Sequence, residues 1–173
     1  MEIIKLSDSS VKIKSKTALF GVNPTGLKTN LACDAALFLQ HTYAPDSLSV
    51  EAEALIINGP GEYEIKGVKI AGLGKGEDLA YLSRIEGVNV FVARASSLVK
   101  SKDLMEDCQL LLLQADAPVE ENLVAASGAQ VAVLFGLHAQ DVVKQLGKEV
   151  APVAKYTTTK DKLPSETEIV VLS

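Results

Sequence analysis

Apolar and polar residues alternate through much of the first half of the chain, and a period of two predicts strands. Val11 and Ile13 alternate with Lys12 and Lys14. Ile3, Ile4 and Leu6 open the chain as a short strand. Ala18–Val22 runs into Asn23-Pro24-Thr25-Gly26, a turn sequence. Ala35–Leu39 and Ala54–Ile57 are unbroken apolar runs, as expected of strands covered on both faces. Glu62–Ile65 and Val68–Ile70 predict a hairpin turning at Lys66-Gly67. Leu79–Ile85 and Val88–Val92 predict a second, turning at Glu86-Gly87.

The second half changes rhythm. Leu110–Leu113 and Val131–Phe135 read as buried strands. Pro118–Ala126 predicts a helix, with Pro at its start and Gly128 just past its end. Ala139–Leu146 is amphipathic, with Val142, Val143 and Leu146 on one side and Gly147 as a stop. Val153–Thr158 and Glu168–Leu172 read as the last strands, joined by residues 159–167. No repeat of fixed period, low-complexity segment or linker divides the chain. Many early strands followed by strand–helix units predict one α/β domain over residues 1–173, with a sheet core covered by helices.

Composition narrows the function classes. The chain has 173 residues, 47% of them hydrophobic and 23% charged, which excludes wholesale disorder. Its formal charge of −5 argues against a phosphate-tracking surface, so nucleic acid is not an expected partner. No window approaches the roughly 18 apolar residues of a membrane span, so no membrane is expected. Met1–Ser10 does not read as a secretory signal. Cys33 and Cys108 follow no CxxC spacing and are expected to be buried free thiols, which points to the cytoplasm. Two His and two Cys leave few nitrogen and sulfur ligands for a metal centre.

One string is more specific. Asn58-Gly59-Pro60-Gly61-Glu62-Tyr63-Glu64-Ile65-Lys66-Gly67 resembles the small bacterial branch of the metallo-β-lactamase superfamily, the Zn-dependent or ascorbate-6-phosphate-lactonase-like hydrolases. Leu6–Ile13 is similar to that branch's opening strand and hairpin. Val22-Asn23-Pro24 stands where members have a hydrophobic-Asp-Pro turn. Leu31–Leu39 is similar to the strand that precedes the metal motif. Residues 160–166 and Ile169–Leu172 resemble tails in this branch. The resemblance spans nearly the whole chain and implies a four-layer αββα sandwich.

It also implies a metal site, and here the sequence departs. Members hold one or two metal ions with a His-x-His-x-Asp-His motif. In the ungapped comparison Gln40, Thr42 and Pro45 take the three His places and Ala44 the Asp place. Asp8 stands at an early His and Asn23 at the Asp-Pro turn. No His occurs in Ala71–Leu79, which looks shortened. The bridging Asp falls at or near Ala95, and the last His near Gly136, two residues before His138. The relic positions are therefore Asp8, Gln40, Thr42, Pro45 and Ala95, and no metal is expected.

Other residues carry weaker signals. His41 reads as a lone ligand or general base, or as an ordinary loop histidine. His138 reads as a catalytic group or as a polar residue before a helix. Asp46, Glu51 and Glu53 could hold a divalent cation with waters, or serve as exposed acids near a helix start. Gly59-Pro60-Gly61-Glu62 is expected to be a structural turn. Gly72-Leu73-Gly74-Lys75-Gly76-Glu77 lacks the phosphate-loop spacing and reads as a turn. Lys12, Lys14, Lys16 and Lys28 read as a solvated face.

The expectation is a metallo-β-lactamase-like protein without its metal motif, acting as a binding or scaffold protein rather than an enzyme. It would need no cofactor and would bind an unknown protein or small molecule, homo-oligomerisation staying open. The alternative is a hydrolase of esters, lactones or phosphodiesters, using zinc or manganese in a site rebuilt around Asp8, His41 and Asp46.

Overall fold

The structure is a computed structural model describing residues 1–105, 107–119 and 121–173, with the backbone alone at Lys75, Lys102 and residues 121–123. In chain order the first strands are β1 (Glu2–Lys5), β2 (Val11–Lys14), β3 (Leu19–Val22), β4 (Ala35–Leu37), β5 (Leu55–Ile57) and β6 (Gly61–Ile65). They are followed by β7 (Val68–Lys75), β8 (Asp78–Ile85), β9 (Val88–Arg94), β10 (Leu110–Gln114), β11 (Val131–Phe135), β12 (Lys155–Thr157) and β13 (Glu168–Val171). The helices are α1 (Leu98–Ser101), α2 (Glu121–Ala126) and α3 (Ala139–Gln145).

Two sheets result. One has the order β12-β1-β2-β3-β4-β5, the other β13-β11-β10-β9-β8-β7-β6. β3, β4 and β5 are parallel, as are β9, β10, β11 and β13. Both predicted hairpins form, with Ile65 opposite Val68 and Ile85 opposite Val88.

Side-chain alternation divides the core in two. Leu110 and Leu112 of β10 face the other sheet and pack with Val11, Ile13 and Phe20. Leu111 and Leu113 face outward onto Leu98 of α1, Val124 of α2 and Val142 of α3. All four leucines are fully buried, each contributing about 1.5–3 kcal/mol by burial. This explains why 110–113 reads as an unbroken apolar run.

The sandwich implied by the resemblance is present, with its helices on one side. All three α-helices pack on the seven-stranded sheet. Over the six-stranded sheet, the described residues supply irregular chain instead. Segments 24–31 and 47–50 are joined by bridges between Thr25 and Leu48 and between Leu31 and Val50. They fit because the outward position of β3 is Gly21, where a Cβ would lie 2.8 Å from the Leu31 side chain.

The predicted turn at Gly72–Glu77 is instead mostly strand. β7 runs through Lys75 and pairs with β8, whose first residue is Asp78. Its glycines weaken the strand signal, but one is required by packing. A Cβ on Gly72 would stand 2.7 Å from the Gly59 carbonyl oxygen. Gly59-Pro60-Gly61 is the expected structural turn: Gly61 has φ +150°, and the Tyr63 hydroxyl donates to the Gly59 carbonyl at 3.0 Å. Of the helix predicted over 118–126, Glu121–Ala126 is helical and Glu120 lies outside the described residues. α1 has no counterpart in the sequence reading. Cys108 is buried and free, its thiol pushed up to about 11 by burial, whereas Cys33 is only half-buried.

Candidate functional site

A cleft of about 230 Å³ opens where parallel strands of both sheets reach their carboxyl ends. Such ends are the usual place for a ligand crevice in sheets of this kind. Asn23 follows β3, Gln40 follows β4, Arg94 ends β9 and Gln114 ends β10, and all four line the cleft. Ser9 enters from the β1–β2 turn. Thr42, Tyr43 and Ser47 enter from the loop after β4.

Asn23 joins the two sheets at this rim. It adopts φ +46°, a left-handed conformation that asparagine tolerates. Its Nδ2 donates to Gln114 Oε1 at 2.9 Å, and its Oδ1 accepts from the Leu39 amide at 2.9 Å. Where the resemblance implies the Asp of an Asp-Pro turn, Asn23 makes a neutral bridge between β3 and β10.

Beside it lies a charge cluster. Arg94 Nη1 contacts Asp78 Oδ1 at 3.1 Å, and Nη2 contacts Asp116 Oδ2 at 2.5 Å. Lys100 reaches the second Asp78 oxygen at 2.9 Å. Ser96 donates to Asp116 from its amide at 3.1 Å and from its hydroxyl at 2.7 Å. Burial opposes the charge on Asp116. The Ser96 hydrogen bonds and the Arg94 charge outweigh it and hold the carboxyl below the usual carboxylate range. Two cations meet two carboxylates, so the cluster is formally neutral. Asp78 opens β8 directly opposite Gln40, which ties the cluster to the loop after β4.

The residues singled out from sequence separate into two groups. Gln40 and Thr42 line the cleft. Pro45 begins a short 3₁₀ turn at Pro45–Ser47 and is exposed, as is Asp46 within that turn. Ala95 is buried just beyond the cleft-lining Arg94. Asp8 is exposed on the β1–β2 turn and pairs with Lys5 at 2.8 Å. His41 turns away to the Gly59-Pro60-Gly61 turn, its Nδ1 lying 3.0 Å from the Asn58 carbonyl oxygen. His138 stands at the start of α3, its Nδ1 3.4 Å from Asp141 Oδ2. Asp8, His41 and Asp46 do not line the cleft, so the rebuilt site proposed around them is not assembled there. Glu51 and Glu53 border a separate surface hollow beside Cys33 and Asp34.

Sequence reasoning missed Arg94, Asp78 and Asp116. Their one local signal is a charged residue beside an apolar strand: Arg94 and Asp116 at or just past its end, Asp78 at its start.

The fold resemblance implies a zinc-type metal centre, and the residues present do not fit one. The cleft offers amides, hydroxyls and a guanidinium already paired with the nearby acids. Among the described residues, no three His, Cys, Asp or Glu side chains come together as a ligand set.

No family model and no curated protein matches the chain by sequence. Solved structures do match. A protein from Thermotoga maritima, assigned as a Zn-dependent hydrolase of the metallo-β-lactamase superfamily, superposes with a TM-score of 0.75 at 17% identity, covering 99% of this chain and 97% of its own. A protein from Parabacteroides distasonis, assigned as a metal-dependent hydrolase, gives 0.66 at 12% identity, with 99% and 93% covered. The metallo-β-lactamase fold protein YhfI from Bacillus subtilis gives 0.55 at 9%, with 98% and 95% covered. The chain has the metallo-β-lactamase fold.

Proposed function

We propose that this chain is a metallo-β-lactamase-fold protein that has lost the metal-binding motif and acts by binding rather than by metal-dependent hydrolysis. A fold does not carry an activity by itself; the site does. The observation supporting this reading is that Arg94, which lines the cleft, is clamped by Asp78 and Asp116, while Asn23 and Gln114 bridge the same rim. With the guanidinium engaging both carboxylates, neither acid can ligate a metal ion without giving up that partner. The protein would work in the cytoplasm without a cofactor, presenting the cleft to a partner. No helix among the described residues is long and apolar enough to cross a membrane.

Elemental analysis tests this. Purified protein is incubated with zinc and manganese, dialysed and measured for bound metal, then assayed on ester, lactone and phosphodiester substrates. The expected result is no stoichiometric metal and no turnover. Metal retained near one equivalent, or turnover abolished in His41→Ala, overturns it.

A further inference from the structure

We propose, resting on the binding reading above, that the cleft takes a neutral, polyhydroxylated small molecule of monosaccharide size.

Free hydrogen-bonding capacity carries the argument. Among the described residues, the side chains of Thr25, Gln40 and Thr42 and the hydroxyl of Tyr43 have no intramolecular hydrogen-bond partner, although all four line the cleft. Gln114 uses only its Oε1, which accepts from Asn23, so its amide nitrogen keeps two donors. These groups offer donors and acceptors together, the set a ring of hydroxyls needs.

Charge sets the class. Among the described residues, Arg94 is the one cation lining the cleft, and its two neighbouring carboxylates offset it at 3.1 and 2.5 Å. Recognition of phosphate or carboxylate needs a guanidinium fork free to make paired bonds, and this one is engaged. An apolar ligand would strand the free amides and hydroxyls without partners. A neutral polyol leaves neither the ligand nor the protein with an unmatched charge.

Shape agrees. Tyr43 stacks on buried Phe38 with ring centroids 4.2 Å apart and planes at 21°, fixing a rigid aromatic wall. The C–H face of a sugar ring can lie on such a wall while its hydroxyls meet the amides. The cleft volume of about 230 Å³ lies below the roughly 300–1,000 Å³ of sites for drug-sized ligands, which favours a single ring.

Titration of the ¹⁵N-labelled full chain with D-glucose, D-ribose and myo-inositol tests this, with glucose 6-phosphate and acetate as charged probes. The expected result is saturable shifts from at least one neutral probe at the amides of residues 40–43 and 114, stronger than from the charged probes. Gln40→Ala and Thr42→Val then weaken binding about tenfold each, the loss of one hydrogen bond, while Glu64→Gln on the far hairpin leaves it unchanged. If the neutral probes give no saturable shift, if only the charged probes bind, or if the shifts map away from the cleft, the proposal is overturned. Such a failure is distinct from that of the binding reading, which fails by retained metal or turnover.

Discussion

The hydroxyl of Tyr81 lies within the seven-stranded sheet and donates across the sandwich to the carbonyl oxygen of Phe38, 2.7 Å away. The Ile57 carbonyl oxygen lies 3.0 Å from the same hydroxyl. Tyr81 is fully buried, and burial pushes its phenol far above the usual range, so it stays a neutral donor. Phe38 lines the cleft, so this contact fixes the cleft's floor to the opposite sheet.

Tyr81→Phe should therefore cost about 1–3 kcal/mol, because it leaves the buried Phe38 carbonyl without this donor. Denaturant unfolding followed by circular dichroism measures it. A loss below a few tenths of a kcal/mol would show that the hydroxyl does not couple the sheets.

Removal of Arg94 should be felt more than removal of an exposed ion pair. Arg94→Ala leaves Asp78 and Asp116 largely buried near one another without the guanidinium between them. The expected loss is about 1–3 kcal/mol, below the 3–5 typical of fully buried pairs because these side chains keep some solvent contact. Arg94→Lys should recover only part, since an ammonium lacks the fork that reaches both acids. Thermal unfolding of the two variants checks the order.

The same cluster gives a pH dependence. Asp116 is held below its usual range in the folded chain, so the unfolded chain takes up protons first as pH falls. Its stabilisation is complete above the unfolded value, near pH 4, and is lost as pH drops through the lower folded value. The melting temperature of Asp116→Asn should start lower than that of the wild type and fall less steeply between about pH 5 and pH 3. Parallel slopes would show that this carboxyl is not the one titrating.

Gly72→Ala should destabilise by about 1–3 kcal/mol, because the added methyl meets the Gly59 carbonyl at 2.7 Å and that backbone cannot move without opening the turn closed by Tyr63. Gly76→Ala is the contrast. Nothing lies within 4 Å of a Cβ there, and its φ of +67° leaves only backbone strain. Chemical denaturation of both separates crowding from conformation. Comparable disruption of the residue 58–63 amide resonances in both variants would overturn the crowding argument.

His41→Ala should cost no more than about 1.5 kcal/mol, the contact with the Asn58 carbonyl being exposed. The amide resonances of Asn23, Arg94 and Gln114 should stay in place. Movement of those resonances would tie His41 to the cleft after all.

Much of the fold was legible because its signals are local. The turns at Lys66-Gly67 and Glu86-Gly87 are two-residue features, and the apolar run at 110–113 marks a strand buried on both faces. The cleft was legible only in outline. Gln40 and Thr42, singled out by the resemblance, line the candidate cleft. The clamp was not legible, because its contacts join residues 16 and 22 positions apart with no periodicity, and the Asn23–Gln114 bridge spans 91 positions. Such partners meet only once both sheets have formed. The irregular cover of the six-stranded sheet was hidden too, since its decisive residue is Gly21, which reads as an interruption in a strand rather than as a seat for Leu31.

The clamp also bears on how the cleft comes into being. A guanidinium is encoded in the chain, so every folded copy carries it at full occupancy. The clamp forms with the sheets, since all of its partners are side chains of the chain itself. Its strength should follow ionic strength and acidity, and it should be indifferent to chelators.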